Sequence, residues 1–445
     1  VKPGRALVSL ALIYFFLGAA GFFSDFIALI WLYAGLILLP IIVLDGIVLF
    51  FLVDRLEVER EIPSSLAQDE NAKAKLRIRR GGRGFLPFGI SLWDLHPSSM
   101  ETNVFPVRLD RKLLAKGPLV FEYGLLPRER GHWFFRGAEM LLSSPCRLWR
   151  LRVLHPCKSA VRIYPNFKKI RARAGKDLRG LLERSGVKKY RMRGQGLEFN
   201  SLRDYQEGDS IRAVDWRATS RRRKVIIREY QEEQDQQILF LLDSGYRLNR
   251  LESGRQAADS RLQFDSALEA VLLLSWLGLK HGDSVALGSF GAGKRWLGPR
   301  KGVSSFPLLM NGFYDLSSGP YPSSPSSALE EALTRLKRRT FIILISNFRE
   351  EDGQSLSWIL KRLKKRHLLL LVSLRERESE YLAAREPKGM EEALESAAAF
   401  SYLASRRDLY RSWEHSGLLT LESSAEDLSS ALINRYLWVK RSGRL

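Results

Sequence analysis

The sequence is poor in the residues that carry most redox, metal and proton chemistry. Its 445 residues include two cysteines and six histidines. Cys146 and Cys157 are not in a CxxC spacing, and the nearby His132 and His155 do not complete a metal-ligand pattern. Two unpatterned cysteines suit a reducing compartment, with one disulfide as the alternative. The histidines are scattered, and no GxSxG, HExxH or CxxC motif occurs, so nothing here argues for an enzyme. Acids are also scarce: 49 Asp and Glu stand against 71 Lys and Arg, a net charge of +22. Such an excess suits nucleic acid, acidic headgroups or an acidic protein. No nucleic-acid-binding module accompanies it. Excess Lys and Arg is ordinary in the cytoplasmic parts of inner-membrane proteins, and that reading is preferred.

Charge is missing altogether from two N-terminal runs. Ala6 to Phe23 is 18 uncharged residues and Phe26 to Leu44 another 19; Asp45 follows, then Gly46 to Val53 without charge. A helix needs about 20 apolar residues to cross the hydrocarbon core. The runs predict a transmembrane hairpin over residues 1–54, with spans at about 6–23 and 26–50 joined by Ser24-Asp25. Lys2 and Arg5 precede it and Arg55 and Arg60 follow it, which puts both ends on the cytoplasmic side. A signal peptide cleaved near Gly18-Ala19-Ala20 is the rival reading. The second run argues against it, because cleavage would leave a strongly apolar segment at the new terminus. Asp45 is either a functional intramembrane carboxylate or a group at the cytoplasmic interface. The interface is favoured, because the run outlasts the bilayer and Pro40 bends the helix or ends its core.

Residues 55–165 read as a β-rich, sandwich-like domain. Lys73 to Arg79, Gly89 to Trp93, Leu119 to Tyr123 and Ala160 to Tyr164 are short strand-like runs separated by Gly and Pro clusters. Residues 166–236 form a basic connector and a dense motif. Phe167 to Arg193 holds eleven Lys or Arg against Asp177 and Glu183, as a solvated linker or as a stretch drawn to anionic headgroups. From 237 to 445 strands and helices alternate. Ile238 to Leu242 is a buried strand ending at Asp243, Phe264 to Lys280 a helix, and Asp283 to Phe290 a strand. Ala328 to Lys337 is a helix, Phe341 to Ile345 a strand, Leu356 to Lys365 a helix and Leu368 to Ser373 a strand. Repeated units of this kind predict a doubly wound α/β sheet, with its ligand crevice at the carboxyl ends of the strands, near Asp243.

Gly288 to Lys294 matches the GxxxxGK of a phosphate loop. Arg295 stands where Ser or Thr should hold Mg²⁺, and Trp296-Leu297-Gly298-Pro299 is a poor helix start, so a strand followed by a glycine-rich turn is expected. Gly194 and Gly196 lack a third glycine for a dinucleotide fingerprint. The informative block is Leu202 to Arg222, LRDYQEGDSIRAVDWRATSRR. Tyr205, Gly208, Asp209, Arg212, Asp215, Trp216 and Arg217 read as a partly buried ionic network. In it Arg212 and Arg217 could pair with Asp209 or Asp215, and Trp216 offers apolar area to bury. It is expected to brace the two domains and secondarily to dock a partner.

This block resembles the signature of the domain of unknown function 58 family, bacterial membrane proteins with a von Willebrand factor type A-like domain. The resemblance extends to the N-terminal spans, to Arg130-Gly131 or Arg136, to Tyr164-Pro165 and to the ending Asn434 to Lys440. It implies a von Willebrand A-type sheet and association with MoxR-type AAA+ ATPases. Such domains often carry a metal-ion-dependent adhesion site, DxSxS, after the first strand. Here Asp243 is present, Gly245 and Arg247 replace the serines, and Asn347 stands where a later aspartate is expected. Octahedral oxygen ligation of Mg²⁺ is poorly served by that set, so no metal and no other cofactor is expected to bind tightly. The expected function is a non-enzymatic, multi-pass protein of the bacterial cytoplasmic membrane, with its soluble body in the cytoplasm. A metal-dependent hydrolase or nuclease using Asp209, Asp215 and Asp243, or a basic nucleic-acid-binding protein, is the alternative. No feature indicates an oligomeric state.

Overall fold

The computed structural model describes residues 1–52, 56–81, 89–110, 112, 114, 117–172, 198–206, 214–231, 236–252 and 261–442. They form two compact units, Val1–Asn166 and Phe167–Leu445.

The first unit opens with two apolar helices, α1 (Arg5–Gly21) and α2 (Asp25–Ile47). Neither has an interior charge before Asp45, and no polar stripe marks a solvent face. The two pack side by side: the Tyr14 and Trp31 rings stack at 5.2 Å, and Gly21 lies against Ala28. The apolar stretch Asp25–Phe50 has a mean hydropathy of 2.7, is long and apolar enough to cross a membrane, and has none of its most apolar window buried. At 17 residues, Arg5–Gly21 is apolar but shorter. Pro40 does not end α2, which runs through it to Ile47.

Beyond the helices the unit is β-rich. One sheet orders Lys2–Pro3, Trp149–His155, Gly137–Ser143, Gly89–Leu95 and Val107–Leu109. A second orders Leu56–Glu61, Ala72–Arg80, Leu119–Pro127 and Met100–Glu101, and a third Ser65–Ala67, Ser159–Tyr164 and Gly131–Phe135. Alternation decides the faces: Ala74, Leu76 and Ile78 turn inward, while the neighbouring Lys73 and Lys75 face water. Leu76 and Ile78, Leu92 and Met140, and Val161 and Ile163 bring all three sheets into one core.

Asp45 is not a lone carboxylate facing lipid. It is buried, accepting hydrogen bonds from Ser144 Oγ at 2.5 Å and the Cys146 backbone N–H at 2.9 Å. The Trp149 indole N–H donates to the Ile42 carbonyl at 2.8 Å, and Gly4 N–H donates to the Leu148 carbonyl at 2.6 Å. A Cβ at Gly4 would lie 2.2 Å from the Arg147 carbonyl oxygen. The turn 144–149 is thus latched to both helices, and Asp45 serves as its anchor.

A charge pair lies in the core of this unit. Arg60, from the second sheet, binds Asp94, from the first, and both side chains are fully buried. Arg60 also donates to the carbonyls of Cys157 at 2.6 Å and Gly137 at 2.9 Å, and its guanidinium lies 4.4 Å over the Phe135 ring. The Tyr123 hydroxyl donates to Asp94, and burial together with that carboxylate pushes the phenol well above its ordinary pKa.

The second unit holds a six-stranded sheet. Its strands are β1 (Gln237–Asp243), β2 (Ser284–Phe290), β3 (Arg295–Lys301), β4 (Thr340–Ile345), β5 (Leu368–Leu374) and β6 (Leu419–Ser423). The spatial order is β3-β2-β1-β4-β5-β6, parallel throughout except β3, which pairs antiparallel with β2. The helices are α3 (Trp216–Arg222), α4 (Gln263–Lys280), α5 (Phe306–Phe313), α6 (Pro325–Arg335), α7 (Asp352–Lys364), α8 (Arg377–Ala384), α9 (Met390–His415) and α10 (Leu428–Arg441). Both faces of the sheet are covered, which is why β1 reads as an unbroken apolar run. Ile238, Phe240 and Leu242 pack with α4 and α10, whereas Leu239 and Leu241 pack with α7 and α9. The GxxxxGK stretch is a β-hairpin turn: Gly291 has φ +99°, and the chain returns as β3 instead of starting a helix. The edge strand β3 and the elements from α8 to α10 were not expected.

Removing Asp94 strands the Arg60 charge inside the core, a loss of about 3–5 kcal/mol. Asp94→Ala should therefore sharply lower the denaturant midpoint of the detergent-solubilised chain. Glu59→Ala, which breaks the exposed pair with Arg79, should barely move it. Equal shifts for the two variants would refute this reading of the core.

Candidate functional site

Sheet order reverses between β1 and β4, so the loops after those strands flank the topological switch point, where open α/β sheets place their ligands. Of the four degenerate metal-site positions, Asp243 ends β1, Gly245 and Arg247 follow it, and Asn347 follows β4.

Asp243 ends β1 fully buried. Its Oδ2 accepts from Ser346 Oγ at 2.6 Å and Ser323 Oγ at 2.8 Å, and its Oδ1 from the Gly245 N–H at 2.8 Å. Burial pushes its pKa above the ordinary carboxylate range, against the pull of these three donors. Gly245 leaves no room for a serine. A Cβ there would meet Ser323 Cβ at 2.7 Å and the Tyr321 carbonyl oxygen at 2.8 Å. The 321–323 segment therefore occupies the space where the first serine ligand would stand, and Ser323 fills in for it as a donor to Asp243.

Arg247 turns toward α7. Its guanidinium holds the Asp352 carboxylate in a two-pronged grip and also donates to the Asn347 carbonyl at 3.3 Å. Both partners of the pair are buried. Desolvation alone would disfavour the Arg247 charge, but Asp352 outweighs it and holds the guanidinium above its ordinary pKa. Asp352 additionally accepts the Arg349 backbone N–H at 2.8 Å, tying the segment that enters α7 to the helix's first residue.

The choice of Asn at 347 has a hydrogen-bonding cause. Its Nδ2 donates to the Arg247 carbonyl at 3.2 Å and to Gln263 Oε1 at 2.8 Å. Its Oδ1 accepts from Ser373 Oγ at 3.2 Å and the Leu374 N–H at 3.0 Å. An aspartate would present a carboxylate to two acceptors, whereas the amide satisfies both directions. The network continues through Arg406, buried between Ser373 Oγ at 2.6 Å and the Leu374 carbonyl at 2.8 Å, to Glu376 and Glu422.

These residues form a closed polar network at the crevice, and they do not fit a resident Mg²⁺. The set offers one carboxylate already engaged by three donors, a glycine with no space for a side chain, and a cation. Among the described residues no group of three or more His, Cys, Asp or Glu is placed to hold a metal ion. Sequence reasoning missed Ser323, Asp352 and Gln263, which lie 80, 105 and 84 residues from their partners. No local pattern marks such pairings.

The family motif lies elsewhere in the same unit. Glu198–Asp204 and Ile226–Gln231 pair antiparallel, and the motif is the excursion between them. Asp215 caps α3, accepting from the N–H groups of Arg217 at 3.0 Å and Ala218 at 3.1 Å. Thr219 Oγ1 accepts the Ile226 N–H at 3.0 Å, and Arg223 at φ +52° turns the chain out of the helix into the second strand. The Tyr205 N–H donates to the Val225 carbonyl at 2.9 Å, and its side chain is exposed. Trp216 was expected to be partly buried and is instead 68% exposed, whereas Ile226 and Ile227 of the neighbouring strand are buried. Arg217 is exposed as well. Gly208, Asp209 and Arg212 lie outside the described residues.

Comparison with known proteins bears on this unit. Residues 201–397, which contain the motif and all four switch-point residues, match the model of the family described as protein of unknown function DUF58. No curated protein matches the chain. Among solved structures, an uncharacterized membrane spanning protein from Vibrio fischeri is 12% identical, covering 47% of this chain and 99% of its own, with a TM-score of 0.18. The CARDB domain of a Pyrococcus furiosus protein, in complex with di-metal ions, is 12% identical and covers 25% of this chain and 89% of its own, with a TM-score of 0.16. A cohesin module from a Clostridium perfringens glycoside hydrolase is 12% identical, covering 25% and 99%, with a TM-score of 0.17.

The switch-point pair sets a prediction. Arg247→Ala or Asp352→Ala should each destabilise the protein by about 3–5 kcal/mol, by leaving an uncompensated buried charge. The double variant should lose clearly less than the sum, as coupled neighbours do. Additivity of the two losses in denaturant unfolding would show that the pair is not a unit.

Proposed function

We propose that this chain is a non-enzymatic interaction protein, anchored in the bacterial cytoplasmic membrane by a two-helix hairpin, with its folded body in the cytoplasm. One observation carries the proposal: the apolar stretch Asp25–Phe50 has none of its most apolar window buried, yet it is latched by Asp45 to a folded β-rich unit. A soluble protein would expose that apolar surface at a large cost in free energy, whereas a bilayer removes the cost. The second helix, Arg5–Gly21, reaches about 26 Å at the α-helical rise and packs along the first, so it crosses as its partner. Lys2 and Arg5 before the pair, with no Lys or Arg in the connection between the helices, favour a cytoplasmic location for the ends.

The body would work by binding. Sheet order β3-β2-β1-β4-β5-β6 with β3 antiparallel supports a von Willebrand A-like reading of the second unit. Its adhesion-type site is then degenerate, closed by Arg247 and Asp352 where a metal would bridge to a partner. Recognition falls instead to the surface, and the exposed Trp216 and Tyr205 of the family motif make it the first docking surface to consider. A MoxR-type AAA+ ATPase is the proposed partner, in an assembly or chaperone-like process.

The test has two parts. The chain should remain in membranes through an alkaline carbonate wash, and protease added outside intact cells should spare residues 60 to 445. Affinity purification in mild detergent should then recover an AAA+ ATPase, and Trp216→Ala should reduce that recovery without changing unfolding. Release into the wash would overturn the anchor. Undiminished ATPase recovery with Trp216→Ala would remove the motif as the docking surface.

A further inference from the structure

The turn 144–149 does more than fasten the helices. Lys2–Pro3 pairs antiparallel with Trp149–Arg150, in the register Lys2 to Arg150 and Pro3 to Trp149. Like charges directly opposite in a ladder repel. Arg147 sits two residues before that strand, at φ +58° in the turn, and Arg5 begins α1. The Arg5–Gly21 helix has no acidic residue in its first turn and no side-chain cap, so its unsatisfied N–H groups add positive potential at the same place.

None of the four cations, Lys2, Arg5, Arg147 and Arg150, has an ion pair among the described residues. The next outward arginine on the same strand, Arg152, is by contrast matched to Glu139. The acid nearest the turn, Asp45, is buried and engaged by Ser144 and the Cys146 N–H. Lys2, Arg5 and Arg147 are exposed, and Arg150 is half-buried. All four lie at the end of the helix pair where α1 starts and α2 finishes. Trp149 is there too, its indole tied to the α2 backbone, in the position of an interfacial anchor.

We propose that Lys2, Arg5, Arg147 and Arg150 form a binding site for the phosphate headgroup of an anionic phospholipid. The inference rests on the membrane reading above, because the lipid is the anion that the helix pair would bring to this end. The phosphate relieves the Lys2–Arg150 repulsion, and its acyl chains lie along the exposed apolar faces of the helices, where Phe15, Phe16, Leu36 and Leu39 point outward. A basic cluster of this size next to an apolar span is the composition that recognises anionic lipid, each charge contributing about fivefold.

The experiment uses the full chain, delipidated in neutral detergent. It is titrated with short-chain phosphatidylglycerol, short-chain phosphatidylcholine and inorganic phosphate, with binding read by native mass spectrometry and by thermal shift. Phosphatidylglycerol should bind saturably, weaken with salt and raise Tm. Phosphatidylcholine and inorganic phosphate should do so at least tenfold more weakly. Lys2→Gln with Arg150→Gln should weaken phosphatidylglycerol at least fivefold, while Arg152→Gln leaves it unchanged. Without lipid the double variant should be as stable as the unmodified protein or more so, because a repulsion has gone; a merely structural pairing would make it less stable. Equal binding of the two lipids, phosphate binding as tight as the lipid, or an unaffected double variant would each overturn the proposal. Release of the chain by alkaline carbonate would instead overturn the membrane reading, so the two failures are distinguishable.

Discussion

The buried ion pair between Arg247 and Asp352 joins the loop after β1 to the first turn of α7, and the carboxyl end of the sheet is organised around it. A guanidinium shut away from water demands a carboxylate and carbonyl oxygens within reach. Asp352 supplies the first and Asn347 the second. That demand propagates outward: Asn347 must be an amide to face the Arg247 carbonyl, and Gln263 of α4 and Ser373 of β5 complete its hydrogen bonds. Gly245 then has no side chain because the 321–323 segment closes over Asp243. Each departure from a metal-binding pattern thus has a packing or hydrogen-bonding reason, and the departures support one another.

The first unit solves a related problem at a different boundary. Its helices expose apolar surface while its sheets bury a conventional core, and the join between them is polar. Asp45 is the residue of that join. Its carboxylate organises the 144–149 turn, and the turn in turn orders the chain entering α1 through Gly4 and Pro3. The cost of a carboxylate near the apolar run is offset by donors that hold two elements together. The Arg60–Asp94 pair plays the same part between two sheets of the core.

Much of the fold was legible where burial acts on consecutive residues. The run Ile238 to Leu242 is apolar because both faces of β1 are covered, and the alternation through Lys73 to Arg79 appears because only one face of that strand is. The edge strand Arg295–Lys301 was hidden by Gly298 and Pro299, which an edge tolerates and a central strand does not. The long helix Met390–His415 was hidden because its first half exposes Leu394 and Phe400 while its second buries Leu409 and Trp413, so no single stripe repeats. At the switch point the sequence displayed Asp243, Gly245, Arg247 and Asn347 but not what they touch, since Ser323 and Asp352 reach them only through the fold. Trp216 was misjudged because its apolar area among dense charges suggested a partly buried network, while the fold leaves it exposed at the start of α3.

The carboxyl end of the sheet is either closed by this network or open to a metal. Calorimetric titration of the purified full chain with Mg²⁺ addresses that directly. A closed network predicts no saturable heat below millimolar Mg²⁺, because Asp243 is already engaged by three donors and Arg247 adds a positive charge beside it. A micromolar isotherm in the unmodified protein, abolished by Asp243→Ala, would contradict it.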